Sequence, residues 1–208
     1  MKRLLDPKKI QEKSFQIIDG LLRSSKLPAG EKKILQRVIH ATTDTGYAQD
    51  LCFHPKAVAS GIKAIRLGKN VVCDVNMVKA GVNAKLLAGF GGKVLCRIDD
   101  EDVVRKASKG KITRAILAVR KSVAEMAGGI VSIGNAPTAL FELCDLIKKG
   151  KAKPALVVGI PVGFVGALES KQELMALGIP YITNQSPKGG SSVAAAMTNA
   201  LLHLAKED

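Results

Sequence analysis

From residue 71 onward the chain alternates short, β-branched apolar runs with amphipathic stretches, and this rhythm restricts its possible folds more than any other feature. Apolar runs fall at 71–74, 94–98, 130–133, 155–160 and 181–183, and each of the last four leads into a stretch of helical spacing, at 99–107, 137–147, 168–177 and 191–205. Strands that return to one sheet through helices run parallel, and continuous rather than alternating apolar runs belong to strands covered on both faces. Before this region the pattern is purely helical: Phe15, Ile17, Ile18, Leu21 and Leu22 mark a helix over 10–24, and Pro28 opens a second. The expected fold is therefore α/β, a single domain over residues 1–208 with a mainly parallel sheet of about five strands, helices on both faces and N-terminal helices preceding it. A chain of 208 residues that is 47% hydrophobic has ample material for one such core.

Ligands of such sheets sit beyond the carboxyl ends of the strands, which directs attention to the loops after Cys73, Ile98, Ile133, Val158 and Thr183. Gly159-Ile-Pro-Val-Gly163-Phe-Val-Gly166 invites a nucleotide reading, as in an oxidoreductase or transferase, but its glycine spacing matches neither dinucleotide nor P-loop fingerprints. Asn184-Gln-Ser-Pro-Lys188-Gly189-Gly190-Ser191-Ser192 leads into the last helix, and its lysine, glycines and hydroxyls suit a carboxylate or phosphate as well as an ordinary helix cap. Arg114 opens another helix and offers a carboxylate fork or a solvated cation.

The best candidate for proton chemistry is His40, at the end of a helix over 31–41 whose apolar stripe is Ile34, Leu35, Val38 and Ile39. Lys33, Arg37 and His40 share the other face. A lone histidine is most often a plain surface or core imidazole, but one beside fixed cations and followed by Thr42, Thr43 and Asp44 suits work on an anion. Asp44 either orients the imidazole or caps the next segment. His54 and His203 read as surface or capping residues.

Lys and Arg exceed Asp and Glu to give a net charge of +14, so polyanions are the expected partners. Nucleic acid is disfavoured, because only 3% of residues are aromatic and no zinc-finger or RNP signature appears. Lys2, Arg3, Lys8 and Lys9 precede no long apolar run, so neither a signal peptide nor a membrane partner is expected. Cys52, Cys73, Cys96 and Cys144 are scattered without metal-ligand spacing and read as thiols of a cytoplasmic protein with no metal site.

Six ordered blocks resemble the precorrin-8X methylmutase family: Ser14-Phe-x-Ile-Ile-Asp19, Arg37-Val-Ile-His40-Ala-Thr42, Asp74-x-x-Met-Val-x-Ala-Gly81, Asn135-Ala-Pro-Thr-Ala-Leu-Phe141, Pro161-Val-Gly-Phe-Val-Gly-Ala-x-Glu-Ser-Lys171 and Lys188-Gly-Gly-Ser191. The resemblance runs from Ser14 almost to the C-terminus. It implies an isomerase of cobalamin biosynthesis that moves a methyl group from C11 to C12 of precorrin-8X or cobalt-precorrin-8, giving hydrogenobyrinate or cobyrinate. It also implies His40 as the catalytic residue, Ser14 and Arg37 as substrate contacts, no cofactor, a polycarboxylate tetrapyrrole as substrate, and a homodimer with its site near the subunit interface. Thr42 and Arg114, with Lys188, Gly189, Gly190 and Ser191 for a carboxylate arm, complete the expected contacts. Thr45 and Ser186-Pro187 depart from the family pattern, which often has an aromatic and a Gly-Arg-like pair there. A non-catalytic corrinoid-binding protein is the closest competing reading.

Overall fold

The computed structural model describes residues 5–23 and 26–207, so Lys2, Arg3 and Ser24 lie outside the described residues. Its strands are β1 (Leu51–Phe53), β2 (Val71–Cys73), β3 (Val94–Cys96), β4 (Ile130–Ile133), β5 (Leu156–Gly159) and β6 (Tyr181–Asn184). They form one sheet in the order β1-β6-β5-β4-β2-β3. All neighbours are parallel except β1, which runs antiparallel to β6 with Cys52 opposite Thr183. The sheet thus has six strands where the apolar runs predict about five. The additional one is a three-residue, half-buried edge strand whose pattern is too short to stand out.

Period-2 alternation explains how strands that look uniformly apolar serve two cores. Val71 and Cys73 point into one cluster and Val72 into the other. The first cluster is covered by α1 (Pro7–Leu21), α2 (Ala29–Thr42), α4 (Ala57–Arg66) and α11 (Ser191–Glu207). The second lies under α7 (Glu101–Lys109), α8 (Arg114–Lys121), α9 (Pro137–Lys148) and α10 (Ala167–Met175). Short helices fill the connections: α3 (Tyr47–Asp50) leads into β1, and α5 (Asn76–Gly81) and α6 (Ala84–Ala88) join β2 to β3.

Helix ends follow their local chemistry. α1 begins earlier than its apolar pattern because the Asp6 side chain accepts from the amides of Lys8, at 2.9 Å, and Lys9, with Pro7 at the first helical position. α2 stops at Thr43, whose φ of 55° makes it the one non-glycine with positive φ among the described residues. A β-branched residue there is strained, at about 1–2 kcal/mol. That turn ends the helix three residues after His40.

Candidate active site

Burial of Ile34, Leu35, Val38 and Ile39 fixes the rotation of α2, so His40 is carried on its exposed side. Packing of α1 against α2 then supplies a partner from 26 residues away: Ser14 Oγ lies 2.8 Å from His40 Nδ1. Phe15 sits against the imidazole, with ring centroids 5.2 Å apart, and the Arg37 guanidinium lies 5.5 Å from the Phe15 centroid. Half-burial pulls the Arg37 pKa down while Glu207 acts the other way; its guanidinium stays charged regardless. Lys33 pairs instead with Glu207 on α11.

Between α2 and α5 an open groove of about 290 Å³ crosses α11, with Arg37, His40 and Ala41 on one side and Gly81 on the other. Ser192, Ala195, Ala196 and Asn199 line it from α11. None of these four is longer than asparagine, so the floor is low and flat. Asn199 also clips the α5–α6 turn in place, donating to the Gly81 carbonyl at 2.8 Å and accepting from the Asn83 amide at 2.7 Å. A Cβ at Gly81 would lie 2.7 Å from that of Ala195, so glycine permits this close approach. The lining residues of α11 escape a motif search; their one signal is the small side chains at 192, 195, 196 and 199, recurring with helical spacing.

Arg37 also borders a second cavity of about 190 Å³ with Lys33, Gln36, His203 and Glu207. His203, expected at the surface, is half-buried here, and burial together with Arg37 holds its pKa below the ordinary histidine value. A wider hollow of about 550 Å³ beside Leu21, Leu27 and Ala48 has Lys26 as its one charged lining residue among the described residues. Size alone therefore does not select the site; the convergence of Ser14, Arg37 and His40 does.

The remaining candidates fall into two groups. Thr42 spends its hydroxyl internally, donating to the Val38 carbonyl at 2.8 Å and accepting from the Asp44 amide at 3.2 Å. Asp44 does not touch the imidazole. Its oxygens accept from the Gly46 amide at 2.8 Å and Lys188 Nζ at 2.7 Å, and the Lys188 bond is the main reason its pKa is lowered. Asp44 thus caps a turn and ties the Lys188-Gly189-Gly190-Ser191 loop to the end of α2. That loop rests on the glycine-rich turn after β5, through Gly190 N to Ile160 O at 3.0 Å and Gly163 N to Pro187 O at 3.1 Å. The amides of Gly163 and Gly190 are therefore engaged between the two loops. Arg114 is not gathered with them; it pairs with Asp99 at 2.9 Å on the other side of the sheet's carboxyl edge. Among the described residues no group of three or more His, Cys, Asp or Glu side chains is placed to hold a metal, and no helix is long and apolar enough to cross a membrane.

The family model for precorrin-8X methylmutase matches residues 9–204. Cobalt-precorrin-8 methylmutase of Priestia megaterium is 48% identical over 201 residues, covering 97% of this chain and 89% of that one. Precorrin-8X methylmutase of Pseudomonas aeruginosa is 40% identical, covering 94% of this chain and 95% of the relative. The solved structure of precorrin-8X methylmutase from Thermus thermophilus superposes with a TM-score of 0.89 at 38% identity, covering 95% of this chain and 96% of that one. Blocks, fold and near-complete coverage agree, and the chain belongs to the precorrin-8X methylmutase family of isomerases.

Proposed function

We propose that this protein carries out the methyl shift from C11 to C12 of precorrin-8X or cobalt-precorrin-8 in cobalamin biosynthesis, with His40 as the proton donor. The observation that carries the assignment of His40 is the Ser14–His40 contact at the edge of a flat-floored groove. The hydrogen bond between the Ser14 hydroxyl and Nδ1 occupies that nitrogen and orients the ring, which leaves Nε2 as the nitrogen for a ligand. Migration of a methyl group around a conjugated ring needs a proton donor to polarise the π-system and a pocket that holds the ring still. Small side chains on α11 leave room for a planar macrocycle, and Arg37 with Lys188 supplies charge for its acetate and propionate arms. Thr42 and Arg114 do not line the groove, and as substrate contacts they require arms that extend beyond it and displace the Thr42–Val38 and Arg114–Asp99 bonds.

The direct test is incubation with precorrin-8X and with cobalt-precorrin-8 while the visible spectrum is recorded. Conversion to hydrogenobyrinate or cobyrinate is expected; binding with an unchanged chromophore would mark a non-catalytic corrinoid-binding protein. Arg37→Ala is expected to weaken tetrapyrrole binding by about 1.5–3 kcal/mol if the guanidinium pairs with a carboxylate arm. An unchanged Kd in that variant would reduce Arg37 to a helix cation.

The protein acts in this reading as a single domain that forms a homodimer. A groove of about 290 Å³ falls just below the roughly 300–1,000 Å³ typical of drug-sized ligand sites, small for a corrin with all its arms. Ile10, Ile17 and Leu21 form an exposed apolar stripe on α1, the helix that carries Ser14, which supports completion of the site by a second copy. Sedimentation of Ile17→Glu is expected to show dimer affinity reduced by at least about tenfold. An unaltered dimer would exclude this face. Four unpaired cysteines favour a reducing compartment, the cytoplasm.

A further inference from the structure

Lys171 is the largest fully buried side chain in the protein's described residues, with a relative exposure of 0%, and the proposed proton chemistry makes no use of it. It projects from α10 under the loop that follows β6. Its Nζ donates to the carbonyls of Ser186, at 2.7 Å, and Lys188, at 2.6 Å. Asp50, at the end of α3, ties the same loop by accepting from the Gln185 amide at 3.0 Å, Asn184 Nδ2 at 2.7 Å and Ser186 Oγ at 2.6 Å. Asn184 Oδ1 is left buried without a partner among the described residues. A loop needing only stability is as well or better served by apolar packing, because taking charges out of water costs more than most buried ion contacts return. Here a buried cation, a carboxylate and an amide are gathered under one turn.

The geometry of that turn says what they achieve. No peptide bond among the described residues is cis, and in a trans peptide the carbonyl and the following N–H point in opposite directions. Drawing the Lys188 carbonyl onto Lys171 therefore turns the Gly189 amide away from the buried ammonium, and that amide donates to no acceptor among the described residues. A side chain at Gly189 would lie 2.3 Å from the Ile160 carbonyl oxygen, so the loop can lie this close to the β5 turn only with glycine there. The loop then leads directly into Ser191 and the groove-lining Ser192.

We propose that Lys171 is a positioning residue for substrate binding, holding the 186–191 loop so that the Gly189 amide and Lys188 are presented to a carboxylate arm and adding a buried positive charge behind them. The proposal rests on the tetrapyrrole reading given above and names the element that recognises one arm. Charge-assisted bonds are roughly twice as strong as neutral ones, so the hold on both carbonyls depends on the ammonium being protonated. Burial pushes the Lys171 pKa down to about 8, with Asp50 opposing the shift. Asp50, on α3, is the charged group acting on it. Cys52, on β1 at the same edge, is pushed up by burial, and Lys188 is pushed up by Asp44, so both titrate above Lys171. Carboxylate binding is thus favoured below about pH 8 and weakened above it, and binding in that range takes up a proton.

The test measures the Kd of hydrogenobyrinate from its visible absorbance between about pH 7 and 9.5, together with kcat and KM, for the wild type, Lys171→Met and Asp50→Asn. Wild-type affinity is expected to fall by about tenfold over that range. Lys171→Met should bind about tenfold more weakly at pH 7, with the pH limb gone and kcat within about threefold of wild type, the signature of lost binding rather than lost chemistry. Asp50→Asn should move the limb to lower pH, which a purely structural lysine has no means of doing. The wild-type titration needs no variant and stands even if Lys171→Met fails to fold. A flat wild-type profile, or a Lys171→Met enzyme that keeps the limb or normal affinity, overturns the proposal while leaving the methylmutase reading in place. Absence of both turnover and hydrogenobyrinate binding in the wild type overturns both.

Discussion

Replacing His40 with alanine is expected to lower kcat by about 10²- to 10⁴-fold, the usual contribution of a positioned proton donor. Affinity for hydrogenobyrinate should stay within about threefold, because the imidazole is one wall residue of a groove whose floor belongs to α11. The separation of the two effects is the informative part. A loss confined to the interactions of the transition state lowers kcat and kcat/KM together, whereas a lost ground-state contact raises KM alone. Single-turnover spectra and equilibrium binding on the same preparation would measure both. Near-normal turnover in His40→Ala would remove the imidazole from the mechanism and leave Ser14 and Arg37 as binding groups only.

The largest expected loss of stability follows from Asp74. Its carboxylate is 2% exposed and accepts from the amides of Gly134 at 3.0 Å, Asn135 at 2.8 Å and Ala136 at 2.8 Å. Among the described residues no cation is paired with it. Burial acts to raise its pKa and the three amides act to lower it. The site therefore behaves as a side-chain brace that satisfies the turn between β4 and α9 at the sheet's carboxyl edge. Asp74→Ala would leave three amides without acceptors, at about 1–3 kcal/mol for each one that stays buried. Asn135 is exposed and its amide can recover a water, so the net cost is expected near 3–5 kcal/mol. At about 2–4 °C per kcal/mol for a chain of this size, that is a fall in Tm of roughly 6–20 °C. Asp74→Asn keeps one acceptor oxygen and should recover at least half of the loss. A change of less than about 3 °C in Asp74→Ala would mean that water replaces the carboxylate fully.

The same two residues show how differently a fold and a site are written into a chain. Asp74 stands in the sequence as the acidic end of the apolar run that forms β2, yet nothing near it announces amides some 60 residues later. His40 was visible through its helix face, but the residue next to its ring was not Asp44, four positions away. Ser14 took that place because α1 packs on α2, and Asp44 was drawn to Lys188 by the left-handed turn at Thr43. Lys171 stood in a family-like block with no sign that it would be the most deeply buried charge.

Periodicity is a local property, and so the strand and helix alternation, the two-sided burial of the sheet and the exposed face of α2 could all be derived from neighbouring residues. The edge strand β1 could not, because three half-buried residues carry too little pattern, and its position depends on β6, 130 residues further on. Side-chain encounters across the fold are governed by how helices pack on the sheet and on each other. That packing brought Ser14 to His40, set the small residues of α11 beneath them, and separated Arg114 onto Asp99. Residue types and their order determine which chemistry is available, but only closure of the core brings the groups within the 3 Å or so over which hydrogen bonds and proton transfer operate.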